Sequence, residues 1–227
     1  RIFTSLKYRF SNAYVQLKSA YYHEKNIYTD SIRSVFGNNP CKTFINQLDF
    51  TKSINNLNIL KINLTNSLAS SNGNNYLDIA EINRTSITGS FKVNNPKYRL
   101  KHLLTTSLLF DKKYLSPFTF SYSLKREFHN HFNLYFNAGK VYRFPTINDL
   151  FWNPGGNLNL VPEQGYTGDI GIIWNKKIHK VIFSFEPSLY SRWIDNWILW
   201  QPTGSFWSPM NVKKVWNRGL ETSSKVH

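Results

Sequence analysis

Residues 118–125 read FTFSYSLK, and this stretch decides the fold class. Apolar and polar side chains alternate at every position along it, with Phe118, Phe120, Tyr122 and Leu124 on the apolar side. A period of two residues predicts a β-strand with one apolar face and one polar face. The same alternation recurs almost throughout the chain, for example over residues 56–70, and helical spacing does not compete with it for long. The sequence therefore predicts an all-β protein.

Counting these segments predicts about eleven strands, near residues 1–10, 12–26, 41–52, 56–70, 80–93, 98–111, 117–127, 130–143, 163–175, 178–195 and 211–226. Most of them exceed the roughly 5–6 residues that are typical of soluble sheets. They reach the roughly 9–11 residues that a tilted strand needs to cross a bilayer. The lengths predict an antiparallel transmembrane β-barrel.

The connections between the predicted strands fall into two alternating classes. Short turns are predicted at Ser11, 53–56, 94–97, His129 and 175–177, and longer loops at 26–40, 70–78, 111–116, 144–162 and 196–210. Outer-membrane barrels alternate in this way, with short periplasmic turns and long external loops. By this pattern the loops at 144–162 and 196–210 lie on the same, external side.

The composition is compatible with such a barrel. Aromatic residues make up 16% of the 227 residues, and they cluster near the predicted strand ends, where they would form girdles at the membrane interface. The chain has no stretch of about 18 apolar residues, which excludes transmembrane helices but not strands that alternate between lipid and lumen. The single cysteine, Cys41, excludes an internal disulfide and a thiolate metal cluster.

The charge and the first residues of the chain carry further expectations. The net charge is +15, but the basic residues are dispersed in runs of at most two, so we expect no nucleic-acid partner. Outer-leaflet phosphates or anionic ligands are alternative explanations of the charge. The first ten residues are strand-like and lack the order of a signal peptide, so we expect an exported protein to begin upstream of this segment.

Residues 142–163, YRFPTINDLFWNPGGNLNLVPE, interrupt the alternation. They closely resemble the signature loop of TonB-dependent outer-membrane receptors, in which an aromatic-Arg-x-Pro-Thr-x-Asn-Asp-Leu-aromatic-Trp segment leads into Gly-Asn-x-x-Leu-x-Pro-Glu. The positions that match are Arg143, Pro145, Thr146, Asn148, Asp149, Leu150, Trp152, Gly156, Asn157, Leu160, Pro162 and Glu163. Leu158 departs from the pattern, since many members carry proline there. A second resemblance follows, with YSRWIDNWI at 190–198 and a returning NRGLE at 217–221.

The resemblance implies a location, a domain and partners. Receptors of this family have a barrel of about twenty-two strands filled by an N-terminal plug domain. Residues 1–227 would then be a partial barrel domain in the cell outer membrane, with about eleven strands and without the plug. The implied function is TonB-dependent uptake of a scarce nutrient such as a ferric siderophore, cobalamin or haem, with a faint likeness to cobalamin- or siderophore-type receptors. The implied partners are the TonB complex through the missing plug, outer-membrane lipid and a small nutrient ligand.

The signature residues have two interpretations. Arg143, Asn148 and Asp149 resemble a polar site, but asparagine and aspartate commonly cap turns and arginine pairs with carboxylates. We therefore interpret the signature loop as mainly structural. Ligand contact is predicted instead for rigid aromatic side chains on the external loops, namely Trp152, Trp200, Phe206 and Trp207.

No catalytic constellation is recognisable in the sequence. It has no G-x-S-x-G elbow, no P-loop and no convergent acid/base pair. His129 and His131 have a spacing that could seed a metal site, but solvated turn histidines are favoured because only Glu127 lies close by. We expect neither an enzyme nor a cofactor. The alternative to a receptor is a soluble β-sandwich module that binds carbohydrate or another ligand.

Overall fold

The computed structural model describes residues 1–30, 35–76, 78–129 and 131–226. They form a single eleven-stranded sheet in which the strands follow one another in sequence order, all in antiparallel pairs. The strands are β1 Ile2–Arg9, β2 Ala13–Asp30, β3 Val35–Ser53, β4 Asn58–Ser71, β5 Ala80–Asn95, β6 Leu100–Asp111, β7 Thr119–His129, β8 Phe132–Arg143, β9 Glu163–Ile178, β10 Val181–Thr203 and β11 Phe206–Val226. One helix, α1 Ile147–Phe151, lies between β8 and β9.

One face of this sheet, the outer face, is apolar. Its clearest row consists of direct cross-strand partners from six successive strands: Leu6, Leu17, Leu48, Leu64, Ile87 and Leu108. The exposed fraction of Leu6 is 71%, and that of Leu64, in the middle of the row, is still 41%. A continuous apolar surface of this kind is unfavourable in water. Hydrocarbon is the environment that matches it.

The opposite, inner face is polar. A parallel row of direct partners consists of Lys7, Gln16, Asp49, Asn63, Thr88, Ser107 and Thr119. Asp49 accepts hydrogen bonds from Gln47 at 2.9 Å and Asn63 at 2.6 Å, and it pairs with Lys18 at 2.8 Å. Successive side chains of a strand point to opposite faces, so the alternation in the sequence has become two surfaces of different polarity.

The predicted strands are all present, but two predicted loops are wrong. Residues 197–210 are paired β-structure except for a two-residue turn, because β10 continues to Thr203 and β11 begins at Phe206. Gly204, with φ of 67°, allows this tight turn. The 26–40 loop is likewise shortened, since β2 and β3 extend to Asp30 and Val35, and 31–34 lie outside the described residues. Cross-strand hydrogen bonds extend both hairpins beyond the length needed for a membrane.

The β-sandwich alternative is wrong as well, since the residues described here form one sheet with no second sheet packed on either face. None of the described helices has the length and apolar character required to cross a membrane. The first and last strands, β1 and β11, form the two edges of the sheet. An edge leaves one side of each strand without backbone partners.

Because residues alternate between the outer and the inner face, the same charged substitution is expected to have a different effect on stability at neighbouring positions. Ile170 lies on the outer face, opposite Phe136 and Leu189, whereas Thr167 lies on the inner face. We expect Ile170→Arg to lower the free energy of unfolding by about 2–4 kcal/mol in phospholipid vesicles, because arginine near the bilayer midplane loses its hydration. Denaturant titration of the protein in these vesicles measures this cost. Thr167→Arg is the control and should cost little, and equal costs would contradict the face assignment.

Candidate functional site

The loop between β8 and β9 is ordered by a helix cap. The Thr146 hydroxyl accepts a hydrogen bond from the Asp149 backbone N–H at 3.2 Å. The Asp149 carboxylate in turn accepts from the Thr146 backbone N–H at 2.8 Å. This reciprocal capping box satisfies two donors at the first turn of α1. It explains why a Thr-x-x-Asp sequence starts a helix immediately after Pro145.

A charged group links the two ends of the loop. The Arg143 guanidinium donates to both oxygens of Glu163, at 2.7 and 2.6 Å. This bidentate ion pair joins the last residue of β8 to the first residue of β9. The same guanidinium lies 3.7 Å from the Asp149 carboxylate. The Glu163 and Asp149 side chains are only 9% and 8% exposed. Bidentate pairing of this kind supplies both geometric specificity and charge compensation for two buried carboxylates.

The β10–β11 hairpin also donates hydrogen bonds to the two buried carboxylates. The Ile198 backbone N–H donates to Glu163 at 2.8 Å, and the Trp200 indole N–H donates to Asp149 at 2.9 Å. Each buried carboxylate therefore receives donors both from the loop segment and from the hairpin. Arg143, Asp149, Glu163, Ile198 and Trp200 are named here the carboxylate brace.

Further hydrogen bonds hold the glycine-asparagine part of the loop against β11. The Asn157 side chain donates to the Pro209 carbonyl at 3.1 Å, and the Ser208 hydroxyl donates to the Gly155 carbonyl at 2.7 Å. Gly155 has a φ of 117°, and a Cβ at this position would lie 2.0 Å from the Trp207 carbonyl oxygen. Only glycine fits this close approach.

Strand β5 and the loop between β4 and β5 contact the other side of the signature loop. The Arg84 guanidinium donates to the Pro145 carbonyl and lies 5.0 Å from the centre of the Phe144 ring. The Tyr76 hydroxyl donates to the Asn148 side chain, and burial raises the pKa of Tyr76. The Tyr76 and Trp152 rings meet edge to face at 5.9 Å. The loop is therefore held from both sides.

The other signature residues are mostly packed. Pro145, Leu160 and Pro162 are buried, Leu150 and Gly156 are half-buried, and Asn148 is exposed. The Gly156 N–H donates to the Trp152 carbonyl at 2.5 Å, closing the turn after the helix. A cavity of about 280 Å³ beside the carboxylate brace is lined by Val141, Tyr142, Arg143, Glu163, Arg192, Ile194 and Trp197.

The four predicted ligand contacts are in different environments. Trp152 and Trp200 are half-buried, and the indole N–H of Trp200 is engaged by Asp149. Phe206 and Trp207 lie at the tip of the β10–β11 hairpin, where they are 39% and 59% exposed. Of the four, these two present the most accessible apolar surface at the end of the sheet that carries the signature loop.

The described residues contain no group of three or more metal-binding side chains. His131 is exposed, and the side chain of its predicted neighbour His129 lies outside the described residues. The chemistry that the signature loop offers is hydrogen bonding and packing.

Sequence reasoning missed several residues that hold the loop. Arg84 and Tyr76 come from distant strands and loops, and no local pattern indicates that they reach Pro145 and Asn148. Asn211 was also missed; its side chain bonds both the N–H and the carbonyl of Val161, at 2.9 and 3.0 Å. The returning strand motif at 217–221 was the only available signal that β11 pairs beside this loop.

Fold and loop together define an outer-membrane β-barrel receptor. Residues 1–226 match the family model of the TonB dependent receptor-like β-barrel, and the chain belongs to this family. This membership confirms the resemblance read from 142–163 and the outer-membrane location that it implied.

Curated relatives and solved structures agree with this assignment. The chain is 32% identical over 87 residues to the vitamin B12 transporter BtuB of Vibrio vulnificus, an alignment that covers 37% of the chain and 14% of that protein. It is 32% identical over 93 residues to BtuB of Photobacterium profundum, covering 39% and 15%. The siderophore receptor PirA of Pseudomonas aeruginosa has the same fold, with a TM-score of 0.76 at 11% identity over 94% of the chain and 44% of that receptor. The chain thus spans less than half the length of these proteins.

The carboxylate brace predicts a specific weak point. Glu163→Ala removes the bidentate partner of Arg143 and leaves the buried Ile198 N–H without its acceptor, so we expect the complete receptor to lose about 1–3 kcal/mol of stability. Limited proteolysis within 144–162 and thermal unfolding measure the effect. Glu163→Gln, which keeps an acceptor for Ile198, should lose less. Equal stability of the alanine variant and the wild type would show that the brace does not hold the loop.

Proposed function

We propose that this chain is part of a receptor that takes up a scarce small-molecule nutrient across the outer membrane in a TonB-dependent manner. The observation that carries the proposal is the family match over residues 1–226, together with a signature loop held rigidly at one end of the sheet. The eleven strands would form part of a larger closed barrel, because a sheet edge in hydrocarbon leaves backbone groups unpaired. Residues 1–227 would thus be a partial barrel domain. The TonB complex would act through a plug domain supplied outside this segment.

The signature loop would have a structural role in this receptor. Its carboxylates are buried and already bonded to Arg143, Ile198 and Trp200, so they offer little to an external ligand. The loop instead holds the β10–β11 hairpin close to its tip, which carries Phe206 and Trp207. Rigid aromatic side chains supply contact area at low entropic cost. The hairpin tip is therefore the part of this chain best suited to contact the nutrient.

Cobalamin is the first ligand to consider. Both curated relatives are vitamin B12 transporters at 32% identity, whereas the siderophore receptors share only the fold at 11–12% identity. Sequence similarity of the first kind is a better guide to the ligand than a shared barrel, because one fold can bind many ligands. A ferric siderophore and haem remain the competing ligands.

A ligand panel distinguishes these cases. The complete receptor, purified in detergent, is titrated by calorimetry with cyanocobalamin, a ferric catecholate siderophore and haem. We expect saturable binding of cyanocobalamin and much weaker binding of the other two. Tight binding of an iron chelate alone would show that the ligand is not cobalamin, but it would remain consistent with the proposed receptor function. Binding of none of the three would contradict the proposed ligand class.

The hairpin tip is tested by truncating its rings. We expect Trp207→Ala and Phe206→Ala each to weaken binding of the cognate ligand by about tenfold or more, since buried aromatic contacts commonly contribute above about 1 kcal/mol. Trp216→Ala, which removes an exposed tryptophan from the outer face of the same strand, is the matched control and should leave affinity unchanged. Unchanged affinity in both tip variants would remove these two residues from the ligand site. Trp200→Phe keeps an aromatic ring but removes the hydrogen bond to Asp149, so its effect on ligand affinity distinguishes the contribution of the ring from that of the hydrogen bond.

A further inference from the structure

We propose that Asn39 and Asn75, named here the asparagine pair, are positioning residues for the nutrient site at the β10–β11 hairpin tip. Neither residue belongs to that tip. They act through a chain of hydrogen bonds that joins the β2–β3 hairpin, the β4–β5 loop and the signature loop. The inference rests on the proposed receptor function for the identity of the site, whereas the contacts themselves do not depend on any ligand.

The β4–β5 loop continues the pairing of β3 beyond the end of β4. The register of these two strands ends at Cys41 and Ser71. Beyond that point the Asn38 N–H donates to the Asn74 side chain at 2.7 Å, and the Asn74 N–H donates to the Asn38 carbonyl at 3.2 Å. The Asn74 side chain also donates to the Phe36 carbonyl at 3.1 Å. The loop therefore satisfies backbone groups of β3 that β4 does not reach.

The asparagine pair forms a reciprocal contact in the same place. The Asn39 side-chain amide donates to the Asn75 side-chain oxygen at 2.8 Å, and the Asn75 backbone N–H donates to the Asn39 side-chain oxygen at 3.2 Å. Asn39 is only 6% exposed. Gly73 permits this close approach, because a Cβ there would lie 2.2 Å from Asn39 Oδ1. Since buried polar groups cost free energy when a partner is lost, the pair favours a single position of the loop on β3.

The β4–β5 loop in turn holds the segment that follows α1. The Asn153 N–H donates to the Asn75 carbonyl at 2.7 Å. Next to this bond, Tyr76 and Trp152 form an antiparallel β-bridge, and their rings are in edge-to-face contact. Asn75 thus contacts β3 through its side chain and N–H, and it contacts the signature loop through its carbonyl. One residue therefore joins two parts of the protein that are far apart in sequence.

The signature loop supports the hairpin tip shortly after Asn153. The Ser208 hydroxyl donates to the Gly155 carbonyl at 2.7 Å, and a Cβ at Gly155 would lie 3.3 Å from the Phe206 ring. Gly155 therefore packs against Phe206 and against the backbone of Trp207. Because the asparagine pair is linked to the tip through Asn153 and Gly155, its effect on a ligand is an effect on the position of the two rings.

The β6–β7 loop is attached to the same structure. Lys113 Nζ donates to the Leu158 carbonyl at 3.1 Å, and the Tyr114 hydroxyl donates to the Leu160 carbonyl at 3.2 Å. The described parts of the β2–β3, β4–β5, β6–β7, β8–β9 and β10–β11 connections therefore belong to one hydrogen-bonded unit. A ligand that contacts the rings of this unit meets a surface that is already ordered, and such preorganisation lowers the entropic cost of binding.

Matched substitutions in the complete receptor test the proposal. Asn39→Ala removes both hydrogen bonds of the pair, whereas Asn75→Asp keeps both, because it retains the backbone N–H and an acceptor for the Asn39 amide. We expect Asn39→Ala to weaken binding of the cognate ligand at least about threefold, since affinity falls with the fraction of receptor whose tip is correctly placed. Asn75→Asp should bind like the wild type. Asn66→Ala, which removes a similar bond to Asn83 within the β4–β5 pairing, should also leave affinity unchanged.

A double-mutant cycle separates positioning from general stability. If Asn39 acts through the hairpin tip, Asn39→Ala should cause a smaller fold-loss of affinity in the Trp207→Ala background than in the wild type. Equal fold-losses in the two backgrounds would overturn the proposal. Unchanged affinity in Asn39→Ala, or the same loss in Asn66→Ala, would overturn it as well.

Pulsed electron paramagnetic resonance tests the chain of contacts without a ligand. Spin labels are attached at two exposed positions, Asn26→Cys on β2 and Ser205→Cys at the hairpin tip. The native cysteines of the receptor, including Cys41, are first replaced by serine. We expect one narrow distance distribution that the ligand does not shift, and a broader distribution in Asn39→Ala. A broad distribution in the wild type, a shift on ligand binding, or an unchanged distribution in Asn39→Ala would each contradict the inference.

Two further measurements keep the outcome unambiguous. Heat-modified gel migration verifies folding, and Asn75→Ala, which retains one hydrogen bond of the pair, takes the place of Asn39→Ala if that variant does not fold. The distance measurement also separates this inference from the proposed function. Binding of none of the compounds in the ligand panel would contradict the ligand class, whereas the distance distributions would still decide whether the asparagine pair holds the hairpin tip.

Discussion

The structure depends on backbone pairing between neighbouring strands. Hydrocarbon offers no hydrogen-bonding partners, so N–H and C=O groups that cross a membrane must be satisfied within the protein. From β2 to β10, each strand pairs with a neighbour on both sides. This pairing leaves the side chains free to divide by parity, with leucine rows such as Leu17–Leu48–Leu64 on one face and polar rows such as Gln16–Asp49–Asn63 on the other. The apolar face, which suits hydrocarbon, and the polar face opposite it both follow from that division.

The charged groups of the signature loop are likewise satisfied by partners within the protein. Glu163 and Asp149 are buried, and their charge is tolerated because Arg143, Ile198 and Trp200 direct donors at them. Since those donors come from the strand before the loop and from the hairpin that follows β9, the carboxylates join segments far apart in sequence. The brace holds the position of the hairpin whose tip exposes Phe206 and Trp207. These contacts support the proposed structural role of this polar motif, because its carboxylates are already bonded within the protein.

The sequence predicted the eleven strands, and the observed ends differ from the predicted ones by a few residues over most of the sheet, because alternation at a period of two is a strong signal. It failed at 196–210, where Pro202 and Gly204 were interpreted as loop residues and the structure has a hairpin. Proline is tolerated there because the far end of a long hairpin stays paired even when individual backbone hydrogen bonds between its strands are missing. The Thr146–Asp149 cap is a local pattern that sequence reveals, but the contacts of Arg84 and Asn211 depend on pairing between distant segments.

The sequence by itself determined which side chains face hydrocarbon, how many strands form and which family the signature loop belongs to, since all three depend on residue order within one strand or one loop. Only the tertiary structure decided which donors reach Glu163 and Asp149 and which of the predicted aromatic contacts are the most exposed. These contacts depend on strand register. Register is set jointly by all neighbouring strands, and it has no local signature in the chain.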